Sequence, residues 1–81
     1  MRERVQIFSM VIQIKLENVE YEILDIEDYL YEKRYILDLY INDGKKWILI
    51  ERGWTSDANN LEDLKRNIRI FLWDNTFDFL L

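Results

Sequence analysis

Tyr35 to Trp54 reads YILDLYINDGKKWILIERGW, and this stretch decides the fold. Two runs of alternating apolar and polar residues flank Asp43-Gly44, the strongest short-range signal for a β-hairpin. A two-residue turn there sets Leu39 opposite Ile48, Leu37 opposite Ile50, Tyr40 opposite Trp47 and Asp38 opposite Leu49. A three-residue loop that includes Asn42, with a bulge at Gly44, shifts the second strand by one and turns Trp47 to the other side. The sequence leaves both registers open.

Working toward the N-terminus, VQIFSMVIQIKL (5–16) also alternates. Phe8, Met10, Ile12, Ile14 and Leu16 share one face, and Ser9, Gln13 and Lys15 the other. Glu17-Asn18 reads as a two-residue turn, pairing Leu16 with Val19, Lys15 with Glu20, Ile14 with Tyr21 and Ile12 with Ile23. The alternation stops at Ile23-Leu24. From there Ile26, Tyr29 and Leu30 follow helical spacing, with Asp25 as N-cap, Glu27 and Asp28 in the first turn and Lys33 and Arg34 in the last. A short helix over 26–33 is favoured over a further strand.

Toward the C-terminus, TSDANNLEDLKRNIRIFLW (55–73) reads as a helix. Asn60 is the cap, with Asp63 three residues later, and Ser56 or Asp57 is the earlier alternative. Leu61, Leu64, Ile68, Phe71 and Leu72 form its apolar stripe. DNTFDFLL either ends this helix at Asn75 or continues it through Trp73, Phe77 and Leu81. The expected class is α+β: an antiparallel sheet of about four strands in two hairpins, with a C-terminal helix packed on one face. Residues 1–81 are expected to form a single domain.

Composition narrows the chemistry. Among 81 residues there are eleven Ile, eleven Leu and twelve aromatic residues, enough for a dense core, and no Cys or His. Thiolate, disulfide and imidazole chemistry are therefore excluded. Asp25, Glu27 and Asp28 lack the glycine and alternate spacing of a calcium loop. Asp38 and Glu51 are acids of the kind a metal nuclease uses, but Gly53 stands where its lysine is expected. Neither glycine sits in a phosphate-cradling loop. The expectation is a non-catalytic protein with no cofactor and no metal.

The start, MRERVQIFSMVIQIKLE, is basic and then apolar, the order of a signal peptide. Gln6 and Gln13 interrupt it, and no small-residue cleavage site follows. No run approaches the roughly 20 apolar residues of a membrane span. A cytoplasmic protein is expected, in the host cell cytoplasm if viral, with no membrane partner. A net charge of −5 argues against direct nucleic-acid binding. Abundant Ile, Asn, Lys and Tyr beside one Ala and no Pro suggests AT-rich coding.

Two features bear on function. ENVEYEILDIEDYLYE (17–32) holds seven carboxylates and no cation, between Lys15 and the Lys33-Arg34 pair. Two glutamates two residues apart on a strand lie about 7 Å apart. They repel by only about 0.6 kcal/mol in water, so a solvated face sustains the run. Read functionally, Glu17, Glu20, Glu22, Asp25, Glu27, Asp28 and Glu32, with Tyr21, Tyr29 and Tyr31 as anchors, form a contact for a basic protein surface. The second feature is an apolar surplus. If Phe8, Ile12, Ile14, Leu37, Leu39, Ile48 and Ile50 face the helix, then Ile7, Val11, Leu24, Ile36, Tyr40, Trp47 and Leu49 remain on the other side. A homodimer through Tyr40, Trp47 and Leu49 would cover them.

The function expected is a small acidic binding protein that occupies a basic site on another protein, with nucleic-acid-handling machinery as the natural target. An inhibitor encoded by a virus or mobile element, an anti-defence (anti-CRISPR-like) mimic of nucleic acid, fits this description. The alternatives are a toxin-neutralising immunity protein or antitoxin, and a structural self-assembling protein.

Overall fold

Side-chain parity governs this sheet, though not through the turns that parity first suggests. A computed structural model describes residues 2–7, 10–25, 27 and 30–75, with side chains at 4, 12–25, 27 and 30–75. Its elements are β1 (Arg2–Ile7), β2 (Met10–Ile23), β3 (Lys33–Asn42), β4 (Trp47–Ala58) and α1 (Leu61–Asp74). The strands pair antiparallel in the order β1-β2-β3-β4. The class is α+β with a C-terminal helix, as expected. The division into strands is not the expected one.

The run 5–16 splits in two, with Ile7 paired to Met10 and Arg2 to Lys15. Phe8 and Ser9, which join them, lie outside the described residues. Conversely, Glu17-Asn18 is not a turn. β2 runs straight through it, with Glu17 opposite Asp38 and Glu20 opposite Ile36, so Asn18 and Val19 together face Leu37. This is a β-bulge, and Asn18 takes the left-handed conformation it requires, at φ 53°. The apolar pattern moves from Ile12, Ile14 and Leu16 to Val19, Tyr21 and Ile23. A two-residue turn and a one-residue bulge produce that same parity shift. A two-residue hairpin turn needs positive φ at both residues or at the first, however, and Glu17 in the first place suits neither.

The expected helix over 26–33 is absent among the described residues. Lys33 and Arg34, assigned to its last turn, instead open β3. Leu24 donates its N–H to the Glu32 carbonyl at 2.8 Å, carrying the β2–β3 ladder one pair beyond the strands. Asp25 accepts from the Glu27 N–H at 3.2 Å, closing an Asx turn where a helix cap was expected.

The central hairpin adopts neither expected register. Asn42 pairs with Trp47, Ile41 with Ile48 and Tyr40 with Leu49, leaving 43–46 as a four-residue loop. Asp43 dictates this length, because its Oδ1 accepts from the N–H groups of both Lys45 and Lys46, at 2.8 and 2.9 Å. Gly44 supplies the positive φ of 97°. Farther along, Ile50 forms one irregularity, and Arg52-Gly53 opposite Asp38 forms another. One extra residue would flip the face, but two restore it. Ile48, Ile50 and Trp54 consequently all pack on the core.

β4 also reaches farther than expected, taking 55–58 from the region read as helix. The Asn67 side chain explains the join. Its Nδ2 donates to Ser56 Oγ at 2.8 Å and to the Asp57 carbonyl at 3.0 Å. The helix itself starts where the sequence places it. Asn60 accepts from the Asp63 N–H at 3.0 Å, and Asn75 closes the other end by donating to the Phe71 carbonyl. The expected continuation through Phe77 and Leu81 lies outside the described residues. Leu64, Ile68 and Leu72 meet Ile12, Ile14, Leu16, Tyr35, Leu37, Leu39 and Ile41 in one fully apolar core. Leu61 departs from the expected stripe and is exposed.

Asp38 links two of these irregularities, the bulge at Asn18 and the one at Arg52-Gly53. Its carboxylate accepts from Asn18 Nδ2 at 2.9 Å and from the Gly53 N–H at 3.0 Å. The Asn18 hydrogen bond first, then that of Gly53 and the charge of Arg52, lower its pKa below the usual aspartate value. The Lys46 and Lys45 N–H groups do the same for Asp43. Both groups therefore bind protons less readily when folded. Their stabilisation is complete above the ordinary aspartate range, near pH 4, and is lost as pH falls through the lowered folded values. Acid titration of circular dichroism should show this loss. In Asp38→Asn the wild-type fall in stability below about pH 4 should be shallower, since one amide oxygen must serve two donors at every pH.

Candidate functional site

The site is built by the bulge at Asn18-Val19. Past it the strand presents Val19, Tyr21 and Ile23 on the helix side and Glu20 and Glu22 on the other. Glu17, three residues before Glu20, is thereby brought onto the same face as the two later glutamates. The cations flanking the run return to it in space. Lys15 Nζ lies 3.2 Å from Glu17, and Arg34 bridges Asp57 at 2.9 Å and Glu22 at 3.8 Å. The run is thus partly neutralised, which its sequence did not display. Among the described residues no cation pairs with Glu20, Asp25, Glu27 or Glu32.

Helix α1 packs chiefly on β4 and β1, and its first residues, Leu61 and Glu62, line a groove with Val19 and Tyr21 of β2 instead of burying them. Apolar side chains are consequently left in water there. Leu30 is 91% exposed, Ile23 69% and Tyr21 57%. The Tyr21 ring leans on Tyr35 at 5.6 Å, and Lys33 Nζ sits 5.1 Å from its centroid. Beside them an open groove of about 570 Å³ has Val19, Tyr21, Tyr35 and Leu61 for walls, with Lys33 and Glu62 at its rim. On the opposite face Glu20, Glu22, Arg34 and Ile36 line a smaller cleft of about 230 Å³. Glu32 holds this end in place, donating its N–H to Asn59 Oδ1 at 3.2 Å.

Of the residues read as a contact, Glu17, Glu20 and Glu22 share one sheet face, Tyr21 lies on the other, and Asp25, Glu27, Tyr31 and Glu32 belong to the connecting loop. Tyr31 is half-buried. Asp28 and Tyr29 lie outside the described residues. Sequence reasoning missed Val19, Ile23, Leu30 and Leu61 as surface groups. It had assigned Leu30 and Leu61 to helical stripes, and no local signal reveals which end of a sheet a helix leaves bare.

The other expected contact lies on the face away from the helix. Tyr40 pairs with Leu49, whereas Trp47 had been expected opposite it, and Trp47 pairs with Asn42. Lys15 Nζ sits 4.6 Å from the Tyr40 ring centroid and 4.9 Å from that of Trp47, a cation–π arrangement that gives this patch a charged cover. Ile36 and Leu49 remain exposed beside it. Leu24 is half-buried, and the side chains of Ile7 and Val11 lie outside those described.

The acids do not assemble a metal centre among the described residues. Asp38 does not face Glu51, which pairs with Leu39, and its oxygens accept from Asn18 and Gly53. No described helix is long and apolar enough to cross a membrane. Compared with models of known families, with curated proteins and with solved structures, the chain has no match.

Proposed function

We propose that this protein binds another protein, occupying a basic surface of its partner with the end of the molecule formed by β2 and the described residues between β2 and β3. One observation carries the reading: Leu30, Ile23 and Tyr21 stand exposed at one end of the molecule, with Glu20 and Glu22 on the other face of the same strand and Asp25, Glu27 and Glu32 following it. Apolar anchors supply contact area, and acids around them steer a basic partner and exclude an acidic one. Proteins that handle nucleic acid carry such basic surfaces, and an inhibitor that fills one in place of the nucleic acid is the natural role for this arrangement. Viral or mobile-element origin, suggested by the coding bias, belongs to the same proposal.

The test is capture of basic proteins from the native host by wild-type protein and by a Glu20→Lys, Glu22→Lys, Glu27→Lys variant. Reversing three rim charges is expected to weaken capture about a hundredfold. Wild-type capture should also weaken as salt rises, since exposed charges are screened. Unchanged affinity in a folded variant would remove the proposal. Sedimentation of the free protein in the same experiment reports whether Tyr40, Trp47 and Leu49 also join two copies.

A further inference from the structure

β2 is longer than the strand that covers it. β1 pairs only with Met10–Lys15, and among the described residues no strand lies along the outer side of Asn18–Ile23. The ladder on the inner side tells which groups face outward. Leu24 and Glu32 are directly opposite and hydrogen-bonded, so Glu22 with Arg34 and Glu20 with Ile36 are hydrogen-bonded pairs in the same alternation. Tyr21 and Ile23 occupy the non-bonded positions between and beyond them. Their N–H and C=O groups point away from β3, toward the free edge.

An open edge is a template for another strand. The side chains along this one select what can add to it. Tyr21 and Ile23 offer apolar surface on the helix side, continuous with the groove beside Leu61, and Glu20 and Glu22 offer charge on the other side. A second copy pairing antiparallel about Tyr21 would set Glu20 against Glu22 twice over, and like charges directly opposite are destabilising. The charge pattern therefore repels the chain's own edge and matches a strand of opposite sign.

We infer that the free edge of β2 at Tyr21–Ile23 takes up an extended segment of the partner in which basic and apolar residues alternate, adding a strand to the sheet. This rests on the reading of the β2 end as a contact for a basic protein and specifies how the contact is made. Main-chain bonds to Tyr21 and Ile23 would hold the segment. Its Lys or Arg side chains would lie beside Glu20 and Glu22, and its apolar side chains beside Tyr21 and Ile23.

The probe is a short synthetic peptide alternating lysine and valine. Its controls are the same peptide N-methylated at alternate residues and a peptide alternating glutamate and valine. Binding is followed by amide hydrogen exchange resolved by residue. The lysine peptide is expected to slow exchange at Tyr21 and Ile23 by about tenfold or more, and N-methylation should cost about tenfold in affinity, since it removes donors without changing charge. Strand addition is overturned if the lysine peptide does not bind, if Tyr21 and Ile23 exchange unchanged in the complex, or if the methylated peptide binds equally well. In the last two cases acidic attraction survives by another geometry. Equal binding of the glutamate peptide would overturn the acidic-contact reading itself.

Discussion

Leu39→Ala is expected to destabilise the protein by about 2–5 kcal/mol, the range for truncating a fully buried leucine. Leu39 lies in the central part of β3, opposite Leu16 on one side and Glu51 on the other, with no exposed surface. Its side chain points into the layer that Leu64, Ile68 and Leu72 cover. Removing it opens a void that strands paired on both sides cannot close by collapse. A chain of this length has about 4–12 kcal/mol of total stability, so the loss is a large share. Urea unfolding followed by tryptophan fluorescence measures it, with a lower midpoint and an unchanged slope expected. Leu49→Ala, on the exposed face of β4, should cost only about 0.5 kcal/mol. Equal costs at the two leucines would show that the assignment of sheet faces is wrong.

Ile68→Asp is expected to abolish folding, whereas Ile70→Asp should leave the fold intact. The two positions lie in the same helix, but Ile68 has 0% of its surface exposed and Ile70 has 55%. A carboxylate at 68 would enter a core lined by Ile14, Leu37, Leu39 and Leu72, where the described core offers it no cation. It must stay charged without solvation or take up a proton at a large pKa shift, and either cost approaches the whole stability of the domain. At 70 the same group stays in water. Circular dichroism at neutral pH reads both outcomes. A folded Ile68→Asp protein would mean that the helix does not pack through Leu64, Ile68 and Leu72.

These two tests address the parts of the fold that were legible beforehand. The face of β2 and β3 that meets the helix was readable because Ile12, Ile14, Leu37 and Leu39 alternate strictly, and alternation is a local property of extended backbone, whereas the side taken by Ile48 and Ile50 hung on the hairpin register. The helix start was readable because Asn60 and Asp63 satisfy backbone donors within one turn, without help from distant residues. The candidate site was readable only as a list of acids. Its exposed apolar members were not, because the exposure of Leu30 depends on the absence of a helix among the described residues of 24–32, and that of Tyr21 on the path α1 takes across the sheet.

By itself the sequence determined which residues of β2 and β3 point inward and that Asp43-Gly44 turns the chain, and it offered Asn60 as the helix cap beside an earlier alternative. Only the tertiary structure decided between a turn and a bulge at Glu17-Asn18. Both preserve the inward set, so residue patterning weighs them equally. The choice falls to non-local pairing. Running straight, β2 pairs with β1 and with nearly the whole of β3, burying Ile14 between two neighbours, while Asp38 bonds the bulge of Asn18 across the sheet. A hairpin at 17–18 would have spent that edge on 19–23 and displaced β1. The bulge leaves those residues at an open edge with their acids on one side, and that edge is where the proposed partner strand would add.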